Sequence, residues 1–274
     1  MKVKFYGTRG GIPVPEPQCM KFGGNTSCVR VTLSNGRVII LDAGTGIRQL
    51  GKDLIASSHE QFDLIPIVLS HTHWDHLQGF PFFGPAFDPR RKFVIAICGR
   101  DRVGDDLESL FEAQMRADFF PVHLKDMGAQ FTFWQPDVIE HAGEFGNQWR
   151  FLRHDHPGGA YSYRCTEGDK AVVYCTDIEH GDAIDERVVE LAMGADLLIH
   201  DAQFTPDELK EKKGWGHSSW EQAIEVATRA GVKRLALTHH DPDHDDRFLT
   251  ELERECQREF ADCFMAREGQ EIEL

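Results

Sequence analysis

Apolar and polar residues alternate from Lys2 to Tyr6, the period-two pattern of a strand with one buried face. Cys28 to Leu33 and Arg37 to Leu41 flank Ser34-Asn35-Gly36, and Asn-Gly is a strong hairpin signal because both residues tolerate positive φ. An antiparallel sheet is therefore predicted to open the chain. Five short apolar runs then share one feature, a polar residue of ligand type at the carboxyl end. Val38 to Leu41 ends at Asp42, Ile65 to Leu69 at His71, Val172 to Cys175 at Asp177, Leu197 to Ile199 at His200 and Asp201, and Leu235 to Leu237 at His239. Such runs predict strands buried on both faces, and the carboxyl ends of these strands are where α/β architectures place their sites. Pro66 lacks a backbone N–H and is expected on an edge or at a bulge.

Helical spacing lies between these runs. Val103, Leu107, Leu110 and Phe111 fit one face of a helix within Asp101 to Asp118, and Ile184, Val188, Leu191 and Ala192 fit another that Gly194 would cap. Ser218-Ser219-Trp220-Glu221 reads as a capping box opening a helix through Ala223, Val226, Ala227 and Ala230 to Gly231. A last helix, from about Asp246 to Phe260, carries Phe248, Leu249, Leu252 and Cys256 on one face. These stripes are core. Phe131 to Trp134, Trp149 to Leu152 and Ala160 to Cys165 add strands, and Glu167-Gly168-Asp169 turns the last of them into Ala171 to Cys175. Each half of the chain gives strands first and strand–helix alternation afterwards. The layered solution is an α/β (α+β) fold, a four-layer αββα sandwich of two mixed sheets with helices outside, in one domain over residues 1–274. Gly7 to Asn25 is long for a connection in a compact domain and is expected to cover a site.

Charge and cysteines narrow the function. A formal net charge of -15 disfavours a protein that grips long nucleic acid, though bound cations can reverse the potential inside a cleft. Seven cysteines, an odd number without a C-x-x-C pair, read as buried free thiols of a reducing compartment. The amino terminus enters strand pattern directly, and no run of about 18 apolar residues occurs, so a soluble cytoplasmic protein that does not engage a membrane is expected.

The densest chemistry lies at His71-Thr72-His73-Trp74-Asp75-His76, three imidazoles and one carboxylate within six residues behind an apolar run. Imidazole and carboxylate are preferred ligands of zinc and its neighbours, and one tetrahedral ion cannot use four such groups from so short a segment comfortably. His71 and His73 share a face if the strand continues to His73, whereas Asp75 and His76, past its end, would face a second ion. The alternative is a histidine-rich surface turn. Downstream, His156 or its rival His154 could complete a three-imidazole set, Asp177 ends a buried strand where a carboxylate needs a metal or several donors, and one of His239 and His240 is a further ligand candidate. Asp42 reads equally as a ligand or as a structural carboxylate accepting backbone N–H groups. His59, His123, His141, His180 and His244 read as surface or hydrogen-bonded side chains.

His71-Thr72-His73-Trp74-Asp75-His76, followed by His156, Asp177 and His239, resembles the metallo-β-lactamase superfamily in motif order. The likeness runs from Gly23-Gly24-Asn25-Thr26-Ser27 through Asp42-Ala43-Gly44 to Leu237-Thr238-His239. Leu198-Ile199-His200-Asp201, His217-Ser218-Ser219 and Ala236 to His239 are similar to the ribonuclease Z and cyclic-phosphodiesterase branch. The resemblance implies His71, His73 and His156 at metal one, Asp75, His76 and His239 at metal two, and Asp177 as bridge. It implies His156 rather than His154, since His156-Pro157-Gly158-Gly159 matches the third motif. His217 takes the place of the general acid and Asp201 that of its orienting group, usually Glu, so that Asp75, His217 and Asp201 carry catalysis. The Gly-rich arm with which ribonuclease Z grips tRNA is not recognisable. Expected, then, is a phosphodiesterase with two divalent ions, zinc first and manganese second, acting on a small phosphodiester such as a 3′,5′- or 2′,3′-cyclic nucleoside monophosphate. Relatives in this branch imply a homodimer, with Phe80 to Phe87 as core or contact surface. The alternatives are a tRNA 3′-processing endonuclease and a non-hydrolytic metal-binding or redox module. Ferric redox members of the superfamily usually carry a carboxylate where this chain has His73, which counts against the redox reading.

Overall fold

In a computed structural model, residues 1–57, 64–98, 106–135 and 148–274 are described. The first sheet contains β1 (Lys2–Gly7), β2 (Cys28–Thr32), β3 (Val38–Leu41), β4 (Ile65–Val68), β5 (Lys92–Ala96) and β6 (Gln130–Trp134). The second contains β7 (Gln148–His154), β8 (Ala160–Glu167), β9 (Lys170–Cys175), β10 (Leu197–Asp201), β11 (Leu235–Thr238) and β12 (Cys263–Met265). A last strand, β13 (Glu271–Glu273), crosses back to pair with β1, giving the orders β13-β1-β2-β3-β4-β5-β6 and β12-β11-β10-β9-β8-β7. The hairpin from β2 to β3 is antiparallel as its Asn-Gly turn requires, while β3, β4, β5 and β6 run parallel. In the second sheet β9 to β12 run parallel and β7, β8 and β9 antiparallel, so both sheets are mixed.

Side-chain alternation on the second sheet divides the core. Val172 and Tyr174 of β9, Leu197 and Ile199 of β10, and Ala236 of β11 join the first sheet's apolar residues between the sheets. Their neighbours Val173, Cys175, Leu198, Leu235 and Leu237 face the opposite way. There they meet Val188 of α4 (Glu186–Ala192), Ala223 and Val226 of α6 (Trp220–Ala230), and Leu249 and Cys256 of α7 (Asp246–Glu259). Ile47, Leu50 and Leu54 of α1 (Ile47–Ala56) and Leu107 and Phe111 of α3 (Leu107–Gln114) pack with the first sheet. The result is the expected sandwich of two mixed sheets with helices. Short α2 (Trp74–Leu77) and α5 (Pro206–Glu211) lie in the connections after β4 and β10.

Several details differ from expectation. Pro66 lies in β4, inside the first sheet, not at an edge. The ladder to β3 begins only at Ile40 opposite Ile67, one residue beyond the proline, so the missing N–H falls at its start. The capping box of α6 is shifted by one. Ser219, not Ser218, caps Gln222, because the backbone N–H of Ser218 donates to Asp201 and its hydroxyl to the carbonyl of Ile178. Gly231 ends α6 with φ 60, and Gly194 follows α4 with φ 61. Ile184 lies before α4. β5, β12 and β13 were not predicted, although Phe93 to Cys98 is an unbroken apolar run that continues β5. Val103, His59 and His141 lie outside the described residues. All seven cysteines are buried and free.

Candidate metal centre

The parallel strands bring their carboxyl ends to one place, and three residues there adopt positive φ without being glycine: Asp42 (60°), Asp177 (55°) and His239 (63°). Such a conformation costs about 1–3 kcal/mol each and persists only where the surroundings hold it. They do so here through dense hydrogen bonding. Asp42 accepts from the Ser70 N–H (2.7 Å), the Ser70 hydroxyl (2.8 Å), the Tyr174 hydroxyl (2.7 Å) and His76 Nδ1 (2.7 Å). It is a structural carboxylate that fixes the tautomer of His76. Burial and the charge of Asp42 push the Tyr174 pKa well up, which keeps this hydroxyl a donor.

Two groups of side chains converge within ligand distance, His71 with His73 and His156, and Asp75 with His76, Asp177 and His239; in each group the donor atoms lie within 4.8 Å of one another. The Asp177 carboxylate lies between them. Its Oδ1 is 3.7 Å from His71 Nε2 and 3.8 Å from His156 Nε2, while its Oδ2 is 3.2 Å from His76 Nε2 and 3.4 Å from His239 Nε2. Asp75 Oδ2 closes the second group at 3.3 Å from His76 Nε2 and 3.2 Å from His239 Nε2. His73 Nδ1 and His156 Nε2 approach to 3.0 Å.

Behind three further rings, as behind His76, a second partner sets which nitrogen faces inward. Ser70 Oγ is 3.0 Å from His71 Nδ1, the Gly216 carbonyl accepts from His156 Nδ1 (2.8 Å), and Gln203 Oε1 accepts from His239 Nδ1 (3.0 Å). His71 Nε2 is buried without a hydrogen-bond partner among the described residues, and His76 Nε2 faces only the carboxylate oxygens of Asp75 and Asp177. Inward nitrogens so placed, with their opposite nitrogens engaged, are what a divalent ion requires of its imidazole ligands. The residues therefore fit a metal site. Burial alone would raise the pKa of Asp177, yet the imidazoles of His239, His76 and His71 outweigh it and hold that carboxyl well below the ordinary range.

His217 lies beside this cluster. Its Nδ1 donates to Asp201 Oδ2 at 2.8 Å, its ring stacks on His239 with centroids 4.9 Å apart, and it also comes within ligand distance of His156 and Asp177. Asp201 accepts as well from the N–H groups of Asp177 (3.1 Å), Gln203 (3.2 Å) and Ser218 (2.9 Å). Burial pushes its pKa up, but the charge and hydrogen bond of His217 hold it below the usual value. The shorter side chain reaches because β10 delivers Asp201 directly against the loop carrying His217.

His154 and His240 do not join either group. His154 is buried on β7, and burial drives its pKa down to about 3. His240 donates from Nε2 to the Ala266 carbonyl at 2.9 Å. His123 is exposed, His244 pairs with Glu208 at 2.8 Å, and His180 stacks on His200. The loop from Gly7 to Asn25 lies against the cluster, as its length suggested. The Gly11 N–H donates to Asp75 Oδ2 at 2.9 Å, and a Cβ on Gly10 would stand 2.3 Å from His239 Nδ1. Ser70, Gln203, Glu179 and Gly216 were not singled out in the sequence. Ser70, Gln203 and Glu179 carried a signal, as polar residues one or two places from a strand-end ligand candidate, and Gly216 carried none.

Residues 37–240 match the family described as the beta-lactamase superfamily domain, and the chain belongs to the metallo-β-lactamase superfamily. It is a metal-dependent hydrolase. It is 31% identical over 264 residues to a ribonuclease Z of Ignicoccus hospitalis, covering 81% of this chain and 85% of that protein. It is 28% identical over 256 residues to the probable metallo-hydrolase YhfI of Bacillus subtilis, covering 90% of each. The crystal structure of YhfI superposes with a TM-score of 0.71 at 23% identity over 99% of this chain and 98% of that one. Human tRNase Z, short form, gives 0.68 at 19% identity over 100% and 99%, and yeast PDE1 gives 0.67 at 14% over 100% and 99%. Among the described residues no helix is long and apolar enough to cross a membrane.

Proposed function

We propose that this protein is a cytoplasmic, dinuclear metal-dependent phosphodiesterase of small phosphodiesters, with a 3′,5′- or 2′,3′-cyclic nucleoside monophosphate as substrate. The observation that carries the reading is the Asp177 carboxylate divided between two sets of inward-facing donors, beside a histidine already paired with a carboxylate. His71, His73 and His156 would hold one ion, Asp75, His76 and His239 the other, and Asp177 would serve both. Two divalent ions, zinc first and manganese second, supply a nucleophile from water at neutral pH and meet the charge of the phosphate. The chain itself supplies orientation and the proton. His217, with Nδ1 bound to Asp201, keeps Nε2 for the leaving alkoxide, and Asp201 holds the ring in one tautomer. Gly11 orients Asp75 through its backbone N–H.

The second reading, a tRNA 3′-processing endonuclease, is favoured by relatives named ribonuclease Z. Against it stands the net charge of -15, which repels a polyanion. A hydrolysis panel of cyclic mononucleotides, cyclic dinucleotides, bis(p-nitrophenyl) phosphate, pre-tRNA and a β-lactam decides between them. The cyclic mononucleotides should be turned over fastest. Pre-tRNA cleaved faster than every one of them at physiological salt reverses the order.

A further inference from the structure

The loop that carries His217 holds more than a proton donor. Trp215 stands in it, 61% exposed. It is flanked by Gly214 (φ 88) and Gly216 (φ 90), a backbone that L side chains rarely adopt. This conformation is clamped. The two oxygens of Glu179 accept from the N–H groups of Gly214 and Gly216, each at 2.8 Å, and the Trp215 N–H closes a turn onto the Lys212 carbonyl at 3.1 Å. The next carbonyl, that of Gly216, accepts from His156 Nδ1, and a Cβ on Gly216 would stand 2.2 Å from that nitrogen. Lys212 places its ammonium 5.8 Å from the Trp215 ring centroid and 4.4 Å from that of Phe204, whose ring lies 5.7 Å from His217.

We infer that Trp215 is the platform on which the flat aromatic base of the substrate stacks while its phosphate lies at the metal cluster. An exposed indole, on a loop fixed by the half-buried Glu179 carboxylate and joined through single residues to His156 and His217, has the rigidity a stacking surface needs and the proximity a subsite needs. Lys212 braces one side of the ring within cation–π range, which favours a planar partner on an open face. The inference rests on the phosphodiesterase reading and sharpens it. The substrate carries a base, and the enzyme recognises that base through its π-face rather than its edge, so purine and pyrimidine esters should both be accepted.

The test uses the full-length, metal-loaded protein and a matched pair of substrates, adenosine 2′,3′-cyclic phosphate and the base-free ribose 2′,3′-cyclic phosphate. Trp215→Ala should raise KM for the nucleoside ester about 5- to 100-fold, the usual worth of one base on one ring, and Trp215→Phe should restore most of it. The KM of the base-free ester, kcat and metal content should stay where they are. Equal losses on both substrates, or none on either, overturn the inference. Adenosine 5′-monophosphate should also quench the intrinsic tryptophan fluorescence of the wild type where ribose 5-phosphate does not, and Trp215→Phe should abolish the difference. Quenching that survives in Trp215→Phe overturns the inference even if Trp215→Ala misfolds. A wild type inactive on every cyclic mononucleotide defeats the phosphodiesterase reading, and the fluorescence titration then decides on the platform by itself.

Discussion

His217 has one nitrogen on Asp201 and is not needed to complete either four-residue division of the cluster around Asp177. Replacing it by Ala should leave both ions bound and slow hydrolysis of a ribose ester by roughly 10² to 10⁴. With p-nitrophenolate, which departs without a proton, the loss should be much smaller. Loss of metal in His217→Ala, or equal slowing of both leaving groups, makes His217 a ligand or a structural residue. Asp42 acts one step further back. Asp42→Asn removes the carboxylate that fixes the Nδ1 proton of His76, and metal affinity should fall about 10- to 100-fold, read by competition with a chromogenic chelator. Unchanged affinity shows that burial alone orients His76.

At the scale of elements, α1 is pinned to β1 by a single carboxylate. Asp53 accepts from Lys4 Nζ (2.8 Å), Tyr6 OH (2.8 Å) and Gln49 Nε2 (3.0 Å). Burial would raise its pKa, but these donors outweigh burial and leave it below the ordinary value. A depressed carboxyl contributes stability that is present above the unfolded pKa of about 3.9 and is lost as pH falls through the lower folded value. Asp53→Asn should therefore unfold less steeply with acid below about pH 4 while losing stability at neutral pH, both read from denaturant midpoints across pH. Parallel curves for the two proteins remove Asp53 from the acid transition. The helix–sheet face on the other side depends on packing instead. Leu249 of α7 is buried beneath the second sheet, and Leu249→Ala should cost about 2–5 kcal/mol in chemical denaturation without altering metal content.

For the whole molecule, the two donor groups joined at Asp177 predict close to two ions per chain by elemental analysis of unchelated protein. One ion, with Asp75→Ala leaving both that count and the activity intact, defeats the dinuclear reading. The aromatic stretch after the metal motif is divided, with Phe80 and Phe83 fully buried and Phe82 and Phe87 58% and 40% exposed. It serves as core and leaves an apolar surface nearby, where Phe82 packs edge-on against Phe120 and Ile55 is 62% exposed. A homodimer is the corresponding expectation. Light scattering that gives a monomer at full activity excludes it.

The sequence by itself determined the strand-end chemistry. Apolar runs of three or four residues without a polar position cannot face water on either side, so Val38 to Leu41, Val172 to Cys175 and Leu235 to Leu237 had to be interior strands, and the polar residues that end them had to meet at one edge. That logic brought out His71, Asp177 and the pair His239 and His240, and the density of the motif after His71 added His73, Asp75 and His76, while the choice of His239 over His240, and of His156 over His154, which share a face two apart on a strand, needed the resemblance. The tertiary structure decided what depends on distance rather than order. Asp42 became an orienting carboxylate only once β3 lay beside β4, 28 residues from Ser70 and 132 from Tyr174. Gln203 behind His239, Glu179 under the loop of Trp215, and the return of β13 to β1 are likewise contacts between distant segments. Periodicity records which face a residue presents; it carries no record of which strand will lie next to it, and hydrogen bonds across that boundary become visible only when the chain has closed on itself.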